Sequence, residues 1–380
     1  MSKKHQKHAK LTKPNIGNFG RNELAILGTP CGEIKRLARD ISEKIGSQNN
    51  IAYVDADHKS SDDKSNLEGS ALNHDVKLEY TDKIDFHRYD FQGKLNDFQT
   101  KSIFNEQDLV IVNGNHFLAK AQIVVIDERK SLEKKLDKLT NVVLFILNGS
   151  EEIPKYLVDH VNNDQIPIIA IDNIEAICQF ISTYVNQYSP KIKGLVLSGG
   201  KSVRMKKDKT KIEYHGKFQR DHMFDLLTSI TEKAHYSIRP DQEVDFDSSY
   251  SIKDRFLGLG PYGAILSAMM SDPNSAWLVT AADQPFLNKA TLELLVAKRN
   301  SSKVATCFYN PETDFPEPLV TLWEPRAYPI LLQYLSQGYS CPRKVLINSD
   351  IEMIKLNDSS VLKNVNTPEE FEEAKKLLIS

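Results

Sequence analysis

The strongest constraint on the fold is a regular alternation of short apolar segments with longer amphipathic segments in both halves of the chain. Many of the apolar segments are rich in β-branched residues, as expected for strands that are covered on both faces. In the first half they are Glu23–Leu27, Ile51–Val54, Leu109–Val112, Ile123–Ile126, Val142–Leu147 and Ile168–Ile171. In the second half they are Gly194–Leu197, Trp277–Ala281, Val304–Phe308, Leu319–Leu322 and Ile351–Lys355.

Helical patterns lie between these predicted strands. Helices are predicted at Gly32–Ile45, Ser131–Leu139, Ile174–Val185, Tyr262–Met270, Lys289–Lys298, Pro325–Ser336 and Pro368–Leu378. The last of them follows Thr367, a good N-cap residue, and has proline at its first position. Because alternating strands and helices build parallel sheets with right-handed crossovers, we expect an α/β fold with two Rossmann-like, three-layer domains.

The length of the chain predicts more than one domain. At 380 residues it exceeds one ordinary core, and two domains of roughly 150–200 residues are the natural expectation. We predict a basic, disordered tail at residues 1–20, a first domain at 21–188 and a second at 189–380. The segment Gln187–Lys191 is the predicted linker, and the polar residues 56–83 are predicted to form a mobile excursion.

Composition excludes several classes of protein. The formal net charge is −2, so no overall positive field attracts nucleic acid, and no nucleic-acid partner is expected. The four cysteines are widely spaced and form no Cys-x-x-Cys pair, which favours a reducing compartment. No apolar run reaches the roughly 18–20 residues of a membrane span, and no apolar segment follows the basic N-terminus as in a secretory signal. We therefore expect a cytoplasmic protein without a membrane partner.

The residues 195–209 carry the clearest functional pattern. An apolar strand leads into Gly199 and Gly200, and then come five cationic side chains and one carboxylate. Glycines allow the backbone to approach a ligand closely with its N–H groups exposed. Cations around such a turn can bind an anion that carries several charges, so the pattern predicts a phosphate-binding site, of which a nucleoside triphosphate is the natural ligand.

Two further patterns in the second half support a nucleotide site. Asp254 precedes Gly258–Gly263, a glycine-rich turn that opens a helix and directs its N–H groups outward. Asp283 follows the predicted strand Trp277–Ala281, and the carboxyl ends of strands are where open α/β sheets bind ligands. A carboxylate there is well placed to hold Mg²⁺, which prefers carboxylate, phosphate and water oxygens.

These motifs, in this order, resemble those of the molybdenum cofactor guanylyltransferase family, a group of α/β nucleotidyltransferases. The family signature Leu-x-Gly-Gly-x-Ser-x-Arg-Met-Gly-x-Asp-Lys is matched at Leu197, Gly199, Gly200, Ser202, Arg204, Met205, Asp208 and Lys209. The family's Asp before a Gly-Pro-x-x-Gly turn is matched by Asp254 and, one residue shorter, by Gly260–Gly263. Its Asp-x-Pro is matched at Asp283–Pro285, and its Asn-x-Asn-Thr-Pro-Glu at Asn364–Glu369. The resemblance covers only the second half of the chain.

The resemblance implies a mainly parallel, nucleotidyltransferase-type sheet and a specific reaction. The terminal phosphate of a molybdopterin-type cofactor attacks the α-phosphorus of GTP, and pyrophosphate leaves. Molybdoenzyme apo-proteins would be further partners. The implied catalytic residues are Arg204 and Lys209, which stabilise the leaving pyrophosphate, and Asp283, which holds Mg²⁺.

The resemblance also implies residues that bind the two substrates. The nucleotide-binding residues are Leu197, Gly199, Gly200, Ser202, Arg204, Lys209, Asp254 and Asp283. The pterin-binding residues are Glu317, Pro318, Asn364 and Asn366. Two departures from the family pattern stand out: Lys206 replaces a glycine, and Tyr236–Arg239 stands where the family has a base-contacting Asn.

The first half contains a degenerate phosphate-binding loop. Gly28 follows a predicted strand, but Gly32-Glu33-Ile34 stands where a working P-loop has Gly-Lys-Ser/Thr. The phosphate lysine and the metal-binding hydroxyl are both missing, and Lys35 and Arg36 are displaced along the helix. This half resembles the small P-loop GTP-binding (MobB-like) adaptor of the same pathway, and we expect it to bind or dock without hydrolysing nucleotide.

Two other interpretations of the sequence stay open at this point. One is a related transferase that uses CTP, or a sugar or polyol phosphate as acceptor. The other is a non-catalytic protein that binds or delivers the molybdenum cofactor, which Lys206 and the degenerate N-terminal loop favour.

Overall fold

A computed structural model describes residues 17–56, 70–74, 76–199 and 212–379. Most of the predicted tail and a large part of the predicted excursion therefore lie outside the described residues. The chain divides into two compact units, Met1–Tyr188 and Ser189–Ser380.

The N-terminal unit contains eight strands and four α-helices among its described residues. The strands are β1 (Glu23–Leu27), β2 (Ile51–Val54), β3 (Leu78–Asp82), β4 (His87–Phe91), β5 (Leu109–Asn113), β6 (Ala121–Ile126), β7 (Val142–Leu147) and β8 (Ile168–Ala170). The helices are α1 (Cys31–Ile45), α2 (Asp97–Ile103), α3 (Lys155–Val161) and α4 (Ile174–Gln187). Six strands form one sheet in the order β2-β5-β1-β6-β7-β8, and every pairing in it is parallel.

Apolar side chains cover both faces of this sheet. On one face, Leu24 and Ile26 of β1 pack with the buried stripes of α1 and α4. On the other face, Leu27 and Val124 pack with Leu157 of α3. The layered arrangement follows from strands whose alternate side chains point to opposite faces.

The C-terminal unit has the remaining elements. Its strands are β9 (Ile192–Leu197), β10 (Lys233–Ile238), β11 (Ser251–Lys253), β12 (Ala276–Ala281), β13 (Ala305–Asn310), β14 (Phe315–Trp323) and β15 (Glu352–Ile354). Its helices are α5 (Gln219–Thr228), α6 (Pro261–Ser271), α7 (Lys289–Ala297), α8 (Ala327–Ser336), α9 (Pro342–Ile347) and α10 (Pro368–Ile379). The sheet order is β11-β10-β9-β12-β14-β13-β15, in which only β14 runs antiparallel to its two neighbours.

Strand β12 shows how the two cores of this unit are separated. Trp277 and Val279 belong to the core beneath α6 and α8, whereas Ala276 and Leu278 belong to the core beneath α5 and α7. The predicted α/β class with parallel sheets and helices on both faces is confirmed.

Several elements differ from the sequence predictions. The predicted helix 131–139 is a distorted 3₁₀ segment, Glu133–Lys138, with non-helical backbone angles at Lys135. Part of the predicted excursion forms strand β3, which pairs with β4 in an antiparallel hairpin. Helices α2, α3, α5 and α9 and strands β4, β10 and β11 were not predicted.

Candidate functional site

The order of strands in the C-terminal sheet reverses at β9. This strand lies between β10 and β12 and runs parallel to both. Open α/β sheets bind ligands outside the carboxyl ends of their strands at such a point. Ser198 and Gly199 follow β9 there. The predicted residues Gly200, Ser202, Arg204 and Lys209, together with Lys206, lie outside the described residues.

Gly199 and Asp254 form one corner of this edge. The Ser237 hydroxyl donates a hydrogen bond of 2.7 Å to Oδ1 of Asp254, and the Asp254 N–H donates to the Ile238 carbonyl at 2.8 Å. A Cβ at position 199 would lie 3.2 Å from Oδ2 of Asp254, so glycine permits this close approach. Burial raises the pKa of the Asp254 carboxyl, and the hydrogen bond from Ser237 acts in the opposite direction.

The backbone before Gly200 is held by two long side chains from the segment after β10. Arg239 donates from Nη1 to the Gly199 carbonyl at 2.6 Å, and its Nε pairs with Asp241 at 2.9 Å. Gln242 donates from Nε2 to the Ser198 carbonyl at 3.2 Å. Arg239 therefore stabilises the backbone at Gly199.

The glycine-rich turn after Asp254 is tight. Gly258 and Gly260 have φ values of +78° and +55°, which L side chains rarely adopt. Pro261 occupies the first turn of α6, as the helix-opening pattern predicts. A Cβ at Gly263 would lie 2.1 Å from the Phe256 carbonyl oxygen, so only glycine fits there.

Asp283 lies at the carboxyl end of β12, on the other side of β9 from Asp254. Its carbonyl oxygen accepts a hydrogen bond of 2.8 Å from the Val365 N–H. Tyr214 belongs to the same neighbourhood: burial raises its pKa to about 12, and the charges of Asp283 and Glu370 add to this effect. The edge of β12, the segment before α5 and the C-terminal segment thus meet around Asp283.

The C-terminal motif contributes a helix cap and a buried amide. Glu370 accepts hydrogen bonds from the Asn366 and Thr367 N–H groups, and the Thr367 hydroxyl accepts one from the Glu370 N–H at 3.2 Å. This reciprocal pair is a capping box, which confirms Thr367 as the N-cap. Among the described residues, no partner lies within hydrogen-bonding distance of the buried Oδ1 of Asn364.

Glu317 and Pro318 lie at the same edge as Asp283. Thr280 pairs with Val320 across the antiparallel β12–β14 ladder, which carries residues 317 and 318 past the end of β12. The Glu317 side chain is only 2% exposed, and its carboxylate accepts hydrogen bonds from Asn310 Nδ2 at 3.0 Å and from the Leu319 N–H at 3.2 Å. These contacts brace strands β13 and β14.

The N-terminal unit has a comparable edge. Strand β1 lies between β5 and β6, and the turn Gly28–Pro30 joins it to α1. The Thr29 hydroxyl donates to Asp127 Oδ2 at 2.5 Å, and Arg129 pairs with the same carboxylate through Nε at 2.9 Å and Nη2 at 2.7 Å. The Arg129 guanidinium beside Asp127 holds the pKa of that carboxyl well below its usual range.

The basic side chains at the start of α1 do not supply a cation for a phosphate site at this turn. Arg36 pairs with Glu33 at 2.9 Å and with Asp40 at 3.5 Å along the same helix, and Lys35 is exposed. This agrees with the displacement that the sequence predicts.

A thiol and an imidazole lie at the same turn. The Sγ atom of Cys31, the first residue of α1, lies 3.3 Å from Nε2 of His116. Asn115 donates from Nδ2 to this sulfur at 3.5 Å. No local sequence pattern predicts this pair, because Cys31 and His116 stand 85 positions apart in the chain.

Two features are absent from the described residues. Within them, no group of three or more His, Cys, Asp or Glu side chains could hold a metal ion. No helix in this part of the chain is long and apolar enough to cross a membrane.

Comparisons with known proteins concern mainly the C-terminal unit. Residues 194–351 match the MobA-like NTP transferase domain. The prediction of a nucleotidyltransferase domain in this unit is therefore confirmed. The matched residues begin within β9 and include Gly199, Asp254, Asp283, Glu317 and Pro318.

Two of the relatives carry names that refer to the molybdenum cofactor. A molybdenum cofactor biosynthesis bifunctional protein of Synechocystis is 36% identical over 180 residues, which are 47% of this chain and 52% of that protein. The chain thus spans about half the length of this relative. A probable molybdenum cofactor guanylyltransferase of Flavobacterium johnsoniae is 24% identical over 178 residues, 46% of this chain and 92% of that protein.

Among solved structures, the molybdopterin-guanine dinucleotide biosynthesis protein A of Archaeoglobus fulgidus is similar, with a TM-score of 0.42 and 22% identity. The similarity covers 49% of this chain and 97% of that protein.

Proposed function

We propose that the C-terminal unit transfers GMP from GTP to a molybdopterin-type cofactor and releases pyrophosphate. One observation carries the proposal: Gly199 with Asp254, and Asp283, flank the carboxyl end of β9 within the stretch that matches the MobA-like domain. The names of the Synechocystis and Flavobacterium relatives supply the substrate class.

The corner formed by Gly199 and Asp254 is the proposed nucleoside site, with the backbone at Leu197 beside it. The Asp254 carboxylate can accept a hydrogen bond from a guanine N–H or a ribose hydroxyl, since the Ser237 hydroxyl is the donor that it already has at Oδ1. The proposed triphosphate ligands are the Gly199–Gly200 backbone, Ser202, Arg204 and Lys209.

A divalent cation, which we propose is Mg²⁺, fits the donor set near Asp283. The carboxylate of Asp283 and the buried amide oxygen of Asn364 are hard oxygen donors, the kind that Mg²⁺ prefers. Val365 follows Asn364 in the chain and donates its N–H to the Asp283 carbonyl, which keeps Asn364 and Asp283 close together. When bound, the cation would neutralise charge on the triphosphate oxygens.

The reaction needs positioning and charge stabilisation more than a protein nucleophile. A phosphate oxygen of the pterin forms a bond to the α-phosphorus of GTP. The bond from that phosphorus to the bridging oxygen of the β-phosphate breaks, and pyrophosphate departs with the electron pair. Arg204 and Lys209 would stabilise the charge that develops on this leaving group.

Glu317, Pro318, Asn364 and Asn366 are the proposed pterin-binding residues. They lie at the edge that carries Asp283. Because the Glu317 carboxylate is buried and bonded to Asn310 and the Leu319 N–H, we expect it to shape the pterin pocket through the backbone of β14.

We propose a docking role for the N-terminal unit, as in a MobB-like adaptor that presents the pterin or a molybdoenzyme apo-protein. The Asp127 carboxylate is engaged by Thr29 and Arg129, so it is not available to a metal–nucleotide complex. For the same reason we propose that this unit does not hydrolyse nucleotide. The whole chain would act in the cytoplasm.

The test is a product assay with the purified full chain, Mg²⁺ and molybdopterin-type cofactor, with either GTP or CTP. We expect pyrophosphate and a pterin dinucleotide when the nucleotide is GTP, and neither product when it is CTP. Product with CTP would select the CTP-using alternative. In a parallel reaction a sugar or polyol phosphate replaces the cofactor, and turnover with that acceptor only would select the other acceptor class. Saturable cofactor binding without turnover would instead indicate a binding or delivery protein.

A further inference from the structure

The loop Asp283–Pro285 is held through three successive carbonyl oxygens. The Asp283 carbonyl accepts from the Val365 N–H at 2.8 Å, and the Gln284 carbonyl accepts from Gln219 Nε2 at 3.4 Å. The Pro285 carbonyl accepts from His215 Nε2 at 3.0 Å. The donors come from three parts of the chain: the C-terminal segment, helix α5 and the segment before α5. These three bonds hold the backbone from which the Asp283 side chain projects.

His215 is the donor that reaches this loop from the segment before α5. Through the Pro285 carbonyl it contacts the loop that carries Asp283. A carbonyl oxygen can only accept, so Nε2 of His215 carries the hydrogen in this arrangement.

A second histidine keeps the ring of His215 in place. His222 on α5 stacks on it with ring centroids 3.8 Å apart and an interplanar angle of 19°. Burial lowers the pKa of His222 to about 4, with the positive charges of His215 and Lys217 adding to the effect. The stacked ring of His222 is therefore neutral near pH 7, and it can pack against His215 without charge repulsion.

We propose that His215 is a positioning residue, whose hydrogen bond to the Pro285 carbonyl orients Asp283 for a divalent cation bound to the nucleotide. This inference rests on the proposed function for the identity of the nucleotide. It goes beyond that proposal because the sequence motifs contain no role for His215, and the contact appears only in the folded chain.

The substitutions His215→Ala and His215→Gln separate positioning from simple packing. Alanine removes the donor, whereas glutamine supplies an amide N–H at a similar reach. His160→Ala is the matched control, because His160 is an exposed histidine on α3 in the other unit. All three variants are made in the full chain.

The first measurement is the affinity for Mn²⁺ in the presence of a saturating, non-hydrolysable GTP analogue, followed through the spectrum of free Mn²⁺. We expect His215→Ala to weaken Mn²⁺ binding about tenfold, as the loss of one part-buried hydrogen bond implies. His215→Gln should recover most of this affinity. Binding of the analogue without metal should change little in any variant.

The second measurement is turnover with GTP and the pterin. We expect His215→Ala to lower kcat while the KM for the pterin stays near its original value. Unchanged Mn²⁺ affinity in His215→Ala would overturn the inference, as would an equal loss of metal-free analogue binding that glutamine does not recover. Failure of the unsubstituted chain to bind Mn²⁺ with the analogue would overturn it as well.

The two proposals fail in different ways. If the unsubstituted chain makes no dinucleotide but His215→Ala still weakens Mn²⁺ binding, the proposed function is wrong and the positioning role stands. If the dinucleotide forms normally and His215→Ala behaves as His160→Ala does, the positioning role is wrong and the function stands.

Discussion

The two units have similar features at similar points of their sheets, but the hydrogen bonds around these features differ. In each unit a glycine turn follows a strand that lies between two parallel neighbours, and an aspartate follows one of those neighbours. In the N-terminal unit that aspartate, Asp127, is bonded to an arginine, a threonine and an asparagine. In the C-terminal unit, the backbone carbonyls of Asp283, Gln284 and Pro285 accept hydrogen bonds from Val365, Gln219 and His215.

The two turns also need their glycines for different reasons. Gly28 has φ of +95°, and a Cβ there would lie 2.2 Å from the Val125 carbonyl oxygen, so this turn needs glycine for its own packing. Gly199 instead allows a carboxylate, Asp254, to lie against the turn.

The largest expected effect is on the C-terminal edge. Asp283→Asn keeps the size of the side chain but removes its charge. We expect transfer from GTP to fall by about three orders of magnitude, since a metal ligand stabilises the transition state by several kcal/mol. The measurement is pyrophosphate release at saturating Mg²⁺. Asp350→Asn, at an exposed aspartate that pairs with Lys303, serves as the control and should keep activity within about twofold. Full activity in Asp283→Asn would remove the metal assignment.

A smaller effect is expected on the N-terminal edge, and it concerns stability. Asp127→Asn should lower the free energy of unfolding of this unit by about 2 kcal/mol at pH 7, because a buried, charged hydrogen-bond acceptor is lost. The pKa of Asp127 is lower in the folded chain than the usual value of about 3.9, so its contribution is present above that value and is lost as the pH falls below it. The difference between the variant and the original protein should therefore narrow below about pH 4.

The rate of backbone hydrogen exchange in peptides from β1 and β6 measures this loss of stability in the N-terminal unit. Both tryptophans, Trp277 and Trp323, lie in the C-terminal unit, so their fluorescence reports on the other half and provides an internal control. Equal shifts by both probes would contradict the assignment of the effect to the N-terminal edge.

The smallest expected effect concerns the thiol at the N-terminal turn. The Sγ atom of Cys31 lies 3.3 Å from Nε2 of His116, so this imidazole can accept the thiol proton as the sulfur reacts. We expect Cys31 to be alkylated about fivefold faster than Cys341, which is more exposed. His116→Gln should remove the difference without changing the rate at Cys341. Site-resolved mass spectrometry of iodoacetamide labelling measures both rates, and faster labelling of Cys341 in the original protein would refute the expectation.

The sequence predicted the parts of the fold whose signal is local. Glu23–Leu27 and Val142–Leu147 are strands with the predicted bounds, because β-branched apolar runs of this length favour strands buried on both faces. Strand β10, with the sequence Lys-Ala-His-Tyr-Ser-Ile, was missed because it is half polar. The β3–β4 hairpin was missed because the polar composition of residues 56–83 predicted an excursion there.

In the candidate site, too, residues in local motifs could be predicted and contacts between distant segments could not. Asp254, Asp283 and the helix cap at Thr367 could be found from motifs in which the important residues stand close together in the sequence. The contacts that hold those residues connect distant segments. Arg239 contacts Gly199, which is 40 residues away in the sequence, and His215 contacts Pro285, which is 70 residues away. No local sequence pattern predicts such pairs.

The central claim is that GTP is used at the C-terminal edge and not at the N-terminal one. Labelling GTP separately at its α- and γ-phosphates, in the full chain with Mg²⁺ and molybdopterin-type cofactor, tests both statements at once. We expect the α-label to enter the pterin dinucleotide and the γ-label to appear only in pyrophosphate. Release of the γ-label as inorganic phosphate, with the α-label left in GDP, would contradict it.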